Sequence, residues 1–338
     1  MLKPDFAGRV KKLRALMEKS GLDACLVNSR NGIFYYTGAE AGDSSFLLVP
    51  KNSKPVIFTT SLNNNIRPSE RFGAFFIKDA SEISKQAKIF ARIGFDEYAT
   101  SYFAFLKLKK SGLNLTPAAS AINEPRMVKD QWEISQIRKA GALTAKTMLS
   151  LGNFSGKKEA EISDRLYLTF RKAGANPSFD PIVASGKNSA FVHHIPQSKK
   201  ISQKGLVIVD MGARVRDYCS DMTRTFCKGP GQKEKRIMED IKEMQAELMG
   251  MAREGTSYEE IEKKYEALLG RKGYKLMHSF GHGVGIGVHE RPSKGDVLKA
   301  GMVITVEPGA YIRNFGGCRI EDTFLIRKGK PEVLTKFR

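Results

Sequence analysis

Four carboxylates and one histidine have the types and spacing that best indicate chemistry in this chain: Asp210, Asp221, His282, Glu307 and Glu321. Asp210 ends the apolar run LVIVD, and Asp221 follows it in CSDMTRTF. Glu307 lies in the apolar run MVITVEPG, and Glu321 follows it in GCRIEDTFLI. Apolar strands deliver side chains into a core, where an unpaired charge is costly. Because a divalent cation would balance acids that face one interior, the pattern predicts a metal-activated hydrolase.

The ligand types restrict the metal. One imidazole with four carboxylates is an oxygen-rich set that suits Mn²⁺, Co²⁺, Fe²⁺ or Zn²⁺. Five side chains exceed the needs of one tetrahedral ion, so bridging carboxylates would hold two ions about 3.5–4 Å apart. Such a pair acidifies a bridging water and polarises a carbonyl. We therefore expect two divalent ions, with Mn²⁺ or Co²⁺ ahead of Zn²⁺ or Fe²⁺.

Every histidine of the chain falls between residues 193 and 289, in stretches that contain glycine or proline: His193, His194, His278, His282 and His289. The glycines around His282, in HSFGHGVGIGVHERP, allow close approach of backbone. The alternative is a tight loop with structural histidines. Clustering of all the histidines near four acids on strands favours a functional site.

The elements that must position these residues form two domains, with boundaries expected at residues 1–122 and 123–338. The first part reads as a small α/β domain: a helix from about Pro4 to Ser20, strands at ACLVNS, GIFYYTG, SFLLVP, PVIFTT and ARIGFD, and a helix over SYFAFLKLKK. The short spacings predict hairpins and a mixed sheet. The segment LNLTPAASAINEPRMVKD reads as a linker.

The second part has a repeated pattern. Asp130 and Glu133 form a capping box for a helix to about Ser150, and Ser257 and Glu260 form another. Further helices are predicted over KKEAEISDRLYLTFRKAG, EKRIMEDIKEMQAELMGMA and SYEEIEKKYEALLGRKG. Each half has helices followed by a strand–turn–strand unit with two acids. Two such halves facing each other, related by a pseudo-twofold axis, would place the metal pair between them.

Composition sets further bounds. The 338 residues are 41% hydrophobic and 27% charged, as in ordinary globular proteins. No apolar stretch approaches the ~18 residues of a membrane span, and the charged start, MLKPDFAGRVKKLRALMEKSG, does not resemble a secretion signal. We expect a cytoplasmic protein with no membrane partner. The four cysteines form no CxxC and are expected to be free thiols.

The net charge of +20 raises the possibility of a nucleic-acid partner. The basic residues are spread along the chain, and the longest dense stretch is Lys107 to Lys110. No basic stripe carries interleaved aromatic residues. The distribution therefore favours a generally solvated basic surface over a nucleic-acid site.

Five motifs in this order resemble the metallopeptidases with the pita-bread fold, which include methionine aminopeptidase, prolidase and aminopeptidase P. They span about residues 179–327: PIVASGKNSAFVHH, VDMGARVRDYCSDMTRTF, FGHGVGIGVHERP, VITVEPGAYI and GGCRIEDTFLI. Residues 1–120 are similar to the creatinase-like N-terminal domain of prolidases. The resemblance implies an α+β chain, with this smaller α/β domain preceding a pita-bread domain.

The resemblance also implies roles for the five residues named first. Asp210 and Asp221 would bind one ion, and Asp221 and Glu321 would share both. His282 and Glu307 would complete the second ion's site. Glu307, in VEPG, is similar to the family's proton shuttle.

The remaining site residues are implied in the same way. His193, in SAFVHH, resembles the histidine that contacts substrate near the scissile bond. His289, in GVHE, resembles the one that stabilises the tetrahedral intermediate, and His278 a further histidine that lines the substrate site. Arg319 would hydrogen-bond a ligand carboxylate, with a surface salt bridge as the alternative. His194 matches no role.

An Xaa-Pro peptidase is thus expected, acting by attack of a metal-bridging hydroxide. The chain length and short first domain favour an Xaa-Pro dipeptidase on substrates with proline in second position, and the resemblance implies a homodimer. Aminopeptidase P is the alternative, because HERPSKGDVLKAGM is shorter than the matching loop of many prolidases. It leaves Arg291 without an assigned role, and Val192 replaces the usual proline. Methionine aminopeptidase and a non-catalytic protein that binds nucleic acid or protein are further alternatives.

Overall fold

The computed structural model describes residues 2–63 and 65–337. The chain divides into two compact units, Lys3–Arg126 and Met127–Arg338. The division falls after residue 126, whereas the sequence had suggested residue 122. The difference arises because the expected linker is folded: it contains a strand and a helix, and Leu113 and Ile122 are buried.

The first unit is one mixed sheet with helices. Its helices are α1 (Phe6–Lys19), α2 (Arg30–Thr37), α3 (Ser84–Ala87), α4 (Tyr102–Lys110) and α5 (Ala119–Asn123). Its strands are β1 (Ala24–Val27), β2 (Phe46–Pro50), β3 (Val56–Thr59), β4 (Gly73–Phe76), β5 (Ile93–Phe95) and β6 (Leu115–Pro117). The strand order is β4-β3-β2-β1-β5-β6. The β1–β2 and β2–β3 pairs are antiparallel and the others parallel, which confirms the mixed sheet.

The prediction of a strand over GIFYYTG was wrong, because this segment lies in helix α2. The Ser29 side chain caps the helix by accepting from the Gly32 N–H, and Gly38 ends it at φ 73°. The hydroxyls of Tyr35 and Tyr36 donate to backbone carbonyls at 2.6 Å. The caps and buried tyrosines thus outweigh the strand preference of aromatic residues.

The second unit supplies the cavity described below. Its helices are α6 (Gln131–Leu149), α7 (Glu159–Lys172), α8 (Gln232–Met251) and α9 (Tyr258–Lys272). Its strands are β7 (Asn176–Pro177), β8 (Ile182–Ser185), β9 (Val207–Met211), β10 (Ala213–Val215), β11 (Tyr218–Cys219), β12 (Met222–Phe226), β13 (Val303–Val306), β14 (Gly309–Ile312), β15 (Gly316–Arg319), β16 (Asp322–Leu325) and β17 (Glu332–Val333). Both predicted capping boxes are confirmed, at Asp130/Glu133 and Ser257/Glu260.

The strands of the second unit repeat one arrangement. Strands β12, β9 and β8 form one antiparallel sheet, and β13, β16 and β17 form another. A bridge between Thr223 and Glu321 joins the two halves. The Thr323 hydroxyl accepts from the Asp221 N–H at 3.0 Å and donates to its carbonyl at 2.7 Å. The halves therefore meet at the acids, as the repeated pattern predicted.

Each half has its own apolar core, and helices cover the sheets. One core includes Phe170, Val209 and Met222, and the other includes Tyr265, Phe280 and Phe324. Across residues 2–63 and 65–337, every helix is too short or too polar to span a bilayer.

Candidate active site

One cavity of about 560 Å³ in the second unit brings the predicted residues together. Its lining includes nine of them: His193, Asp210, Asp221, His278, His282, His289, Glu307, Arg319 and Glu321. His194 does not line the cavity and is buried. Paired strands bring the carboxylates to this point: Asp210 lies in β9, and the other three acids lie directly next to β12, β13 or β16.

Buried carboxylate oxygens without a hydrogen-bond donor mark the floor of the cavity. Among the described residues, no donor reaches Asp210 Oδ1, Asp221 Oδ1 or Glu321 Oε1. The other Glu321 oxygen accepts from the Thr223 hydroxyl at 2.6 Å. Unsatisfied buried acceptors are rare and point to a missing partner. The residues present therefore fit a cation at this floor.

His282 faces the same point. One ligand atom each from Asp221, His282 and Glu321 lie within 4.8 Å of one another. His282 Nε2 is 3.7 Å from Asp221 Oδ2 and 3.4 Å from Glu307 Oε1. Its Nδ1 lies 3.2 Å from the Gly283 carbonyl, so a ring that donates there keeps the Nε2 lone pair for a ligand.

The glycines beside His282 allow the close packing that the sequence predicted. A Cβ on Gly281 would lie 2.2 Å from the Thr305 carbonyl oxygen. A Cβ on Gly283 would lie 2.1 Å from the Arg291 carbonyl oxygen. Any larger residue at either position would displace the loop that carries His282.

Burial dominates the electrostatics of the cavity. Burial and repulsion from the neighbouring carboxylates raise the pKa of Asp221 and of Glu321 well above the usual range. Burial raises the pKa of Glu307 to about 7, although Arg319 opposes the shift. Burial lowers the pKa of His282 to about 3. Crowded acids and a neutral imidazole are the arrangement that a divalent cation would stabilise.

Arg319 is 2% exposed, so the alternative of a surface salt bridge does not apply. Its Nη2 donates to Asp210 Oδ2 at 2.7 Å and its Nε to the Thr223 hydroxyl at 3.1 Å. Its Nη1 donates to the Tyr311 hydroxyl at 2.7 Å. The guanidinium therefore fixes one oxygen of Asp210 and leaves the other facing the cavity.

Tyr311 is a residue that sequence reasoning missed. Its hydroxyl lies 2.9 Å from His278 Nε2 and accepts from Arg319. The His278 Nδ1 lies 2.9 Å from the Ser279 carbonyl and 4.0 Å from Glu307 Oε2. Tyr311 lies within the motif VITVEPGAYI, so a search of that motif for buried hydroxyls could have found it.

The other two histidines face the open side of the cavity. The rings of His282 and His289 are 4.2 Å apart between centroids. Burial and then the nearby His193 lower the pKa of His289. No ring hydrogen bond holds His193 or His289 within the part of the chain described. Their positions therefore depend on the backbone that carries them.

Part of the remaining wall is apolar, and Val192 is the residue of this part that the sequence analysis had singled out. It includes Phe179, Ile182, Val192, Val288 and Pro292. Arg291, whose role the sequence left open, does not line the cavity. Its guanidinium instead pairs with both oxygens of Asp296, with Nε donating at 3.1 Å.

Comparisons with known proteins agree with this geometry. Residues 135–328 match metallopeptidase family M24, and residues 9–128 match the creatinase/prolidase N-terminal domain. An Xaa-Pro dipeptidase of Pyrococcus horikoshii is 33% identical over 348 residues, covering 97% of each chain. An Xaa-Pro dipeptidase of Pyrococcus furiosus is 31% identical and covers 97% of each chain.

Solved structures give the same result for the fold. The prolidase from Pyrococcus horikoshii has a TM-score of 0.91 at 32% identity, covering 98% of this chain and 99% of that one. An X-Pro aminopeptidase from Thermotoga maritima has a TM-score of 0.88 at 27% identity, covering 97% and 98%. These matches confirm the α+β architecture of a creatinase-like domain followed by a pita-bread domain. Since the family match spans more than half of the sequence, the chain belongs to metallopeptidase family M24, whose members depend on divalent metal.

Proposed function

We propose that this metallopeptidase is an Xaa-Pro dipeptidase, which hydrolyses the bond before a proline in second position. The observation that carries the proposal is the group of buried carboxylate oxygens on Asp210, Asp221 and Glu321 that no donor of the described residues reaches. They lie in a cavity that four histidines also line: His193, His278, His282 and His289. Relatives named Xaa-Pro dipeptidase, aligned over nearly the whole chain, supply the substrate class.

Five side chains would hold two divalent ions: Asp210, Asp221, His282, Glu307 and Glu321. Their oxygen-rich set favours Mn²⁺ or Co²⁺ ahead of Zn²⁺ or Fe²⁺. When bound, such ions lower the pKa of a water molecule and polarise the carbonyl to be attacked. Arg319 would keep Asp210 oriented, because its guanidinium donates to the oxygen that does not face the cavity.

Glu307 would move the proton. Without metal, burial raises the pKa of this carboxyl to about 7, and the charge of bound ions would lower it and favour the carboxylate that accepts a proton. Its oxygens lie 3.4 Å from His282 Nε2 and 4.0 Å from His278 Nδ1, at the edge of the carboxylate cluster. The carboxyl is thus close to the position where attacking water would lose a proton and the leaving amine would gain one.

His193 and His289 would contact the reacting peptide from the open side. An imidazole N–H can donate to the carbonyl oxygen as negative charge develops on it. His289, near His282, suits this role for the tetrahedral intermediate, while His193 would contact substrate near the scissile bond. His278 would line the substrate site, with the Tyr311 hydroxyl at its Nε2.

The apolar wall supports proline as the recognised residue. Phe179, Ile182 and Val192 present hydrocarbon to the cavity, which suits a pyrrolidine ring with no N–H to satisfy. A dipeptide would also present a terminal carboxylate. Among the lining residues described, Arg319 is the only arginine or lysine, and it already pairs with Asp210. This observation favours aminopeptidase P, acting on longer Xaa-Pro peptides, as the second candidate.

The assembly and location are also proposals. We expect a homodimer, as the resemblance to prolidases implies, working in the cytoplasm without a nucleic-acid partner. All four cysteines are free, which suits a reducing compartment. Light scattering after size-exclusion chromatography would give the oligomeric state, and a monomer would contradict the expected dimer.

A comparison of substrates tests the function. The purified protein is stripped with chelator, reloaded with Mn²⁺ or Co²⁺, and given Ala-Pro, Ala-Pro-Ala or Met-Ala-Ser. We expect no activity after chelation, recovery with metal, and fastest release of alanine from Ala-Pro. Preference for the tripeptide would identify aminopeptidase P, and preference for Met-Ala-Ser a methionine aminopeptidase. Salt-sensitive binding of nucleic acid without any hydrolysis would support the non-catalytic alternative.

A further inference from the structure

Two adjacent histidines have opposite surroundings. His193 lines the cavity, whereas the His194 side chain is only 6% exposed and points into the protein. Both belong to residues 186–197, which we call the first histidine loop. Phe191 and Ile195, on either side, are 65% and 80% exposed. Among residues 191–195, His194 is therefore the one whose side chain is buried in the protein.

One buried carboxylate supports the loop from below. Glu159 begins helix α7 and is 0% exposed. Its Oε1 accepts from the N–H and hydroxyl of Ser185 at 2.8 and 2.6 Å, just before the loop. Asn188 Nδ2 donates to both of its oxygens at 3.1 Å. These hydrogen bonds fix the beginning of the loop.

The same carboxylate also receives the end of the loop. His194 Nε2 donates to Glu159 Oε2 at 2.8 Å, and the Gln197 N–H donates to it at 3.2 Å. A buried carboxylate that lost these donors would be strongly destabilised. The hydrogen bonds from Ser185 and His194 outweigh burial, so that the pKa of Glu159 is lowered. The carboxylate therefore stays charged and keeps its donors.

The positions of the groups that donate to Glu159 show which segment this carboxylate supports. Those named above all come from Ser185 or from the loop that carries His193, and none from the first turn of α7. His194 is joined to His193 by one peptide bond, so the two Cα atoms are ~3.8 Å apart. A shift of the buried ring is thus passed directly to the ring in the cavity. A displacement of ~1 Å at a catalytic group can reduce turnover about 100-fold.

We propose that Glu159 and His194 are positioning residues, which hold the first histidine loop so that His193 faces the scissile bond. The proposal rests on the peptidase function proposed above, but the structural part stands without it. Neither residue touches substrate in this arrangement. Both act through His193.

A double-mutant cycle tests this dependence. The kcat and KM for Ala-Pro are measured for the wild type, His193→Ala, His194→Ala and the double variant. We expect His194→Ala to lower kcat/KM on the order of tenfold to 100-fold. In the His193→Ala background the same change should cost less than about twofold, because contacting residues are non-additive. Equal factors in both backgrounds would overturn the proposal.

A conservative variant separates positioning from general damage. His194→Gln retains an N–H donor that can reach Glu159, so it should recover most of the activity lost in His194→Ala. Failure of this recovery, with both variants folded and metal-loaded, would also contradict the proposal. The two variants remain informative if changes at Glu159 prevent folding.

Hydrogen exchange provides a readout that does not depend on activity. Amide exchange over residues 185–197 is compared for the wild type, Glu159→Gln and the matched control Glu161→Gln. Glu161 lies on the same helix, but its side chain is 50% exposed. We expect faster exchange in Glu159→Gln and wild-type exchange in Glu161→Gln. If Glu159→Gln does not fold, His194→Ala takes its place in the comparison. Unchanged exchange would refute the positioning role, whereas an inactive wild type would refute the proposed function instead.

Discussion

Paired strands position the carboxylates of the cavity, whereas loops position His193 and His289. Asp210 lies in β9 and pairs with Thr223 across an antiparallel ladder. Glu307 directly follows β13, and Glu321 directly precedes β16. His193 and His289 lie outside the strands of the described chain. A ladder fixes the direction of each side chain through backbone hydrogen bonds that any sequence can make. A loop needs dedicated side chains to do the same.

The second histidine loop, residues 281–292, illustrates this need. Glu290 follows His289, and its Oε2 lies 3.8 Å from Lys129 Nζ, with side chains 7% and 0% exposed. Its Oε1 accepts from the Gly287 N–H at 2.7 Å. In both loops, the residue after the cavity histidine thus joins a buried charged partner. On the strand side, Arg319 and Thr223 also hydrogen-bond acids of the site, but there the backbone pairing of Asp210 and Glu321 with Thr223 fixes the direction of the side chains as well.

Replacing an acid that lies in or directly beside a paired strand should have the largest effect. Asp221→Asn removes a charge at the point where both halves contribute, so metal affinity should fall and kcat/KM should drop by about 10³-fold or more. Calorimetric titration with Mn²⁺ and turnover of Ala-Pro measure the two losses. Asp164→Asn, at an exposed position on α7, is the control and should match the wild type. Wild-type Mn²⁺ affinity in Asp221→Asn would exclude it as a ligand.

Breaking the support of the second histidine loop should come next. Lys129→Met leaves Glu290 buried without its cation, and should lower the free energy of unfolding by about 3 kcal/mol. Chemical denaturation measures this change. Lys294→Met removes a lysine whose side chain is 85% exposed and should change stability by less than about 0.5 kcal/mol. If both substitutions lowered the free energy of unfolding equally, the Lys129–Glu290 pair would support its loop no more than a surface ion pair does.

Removing a loop histidine should separate catalysis from metal binding. His289→Ala should reduce kcat about 100-fold, because a donor to the developing oxyanion is lost. Mn²⁺ affinity should remain within about threefold of the wild type, in contrast to Asp221→Asn. Parallel measurement of turnover and calorimetric affinity tests this. A large loss of Mn²⁺ affinity in His289→Ala would show that this histidine contributes to metal binding.

The smallest effect concerns pH and the metal-free protein. The folded pKa of Asp221 and of Glu321 lies above the unfolded value of about 4, so the folded state binds more protons between these values. Stability of the chelated protein should therefore fall as pH rises above about 4, by at least about 1 kcal/mol or 2–4 °C in Tm. Glu321→Gln should weaken this dependence, and Mn²⁺ should reverse it. A Tm of the chelated protein that does not fall over this range would contradict the argument.

Sequence patterns predicted the strands that position the acids better than they predicted the contacts that hold the two histidine loops. Apolar runs such as LVIVD and short-range caps such as Asp130/Glu133 are local, so they can be read directly. Glu159 and His194 are 35 residues apart, and their contact exists only after α7 packs beneath the loop. Helix α2 was misread because its caps, Ser29 and Gly38, outweighed a strand-like composition. Local patterns thus located the acids, whereas their supports depend on tertiary packing.

The hydrogen bonds that cross between the halves have a consequence for biosynthesis. Glu321 is bonded to Thr223 of the other half, and Asp221 to Thr323. During translation, Asp210 and Asp221 leave the ribosome long before Glu307 and Glu321 exist. A nascent chain can therefore fold its first half without a complete set of acids. The four acids come together only when the last strands pair with the first half, so the complete cation site would form late in the synthesis of the chain.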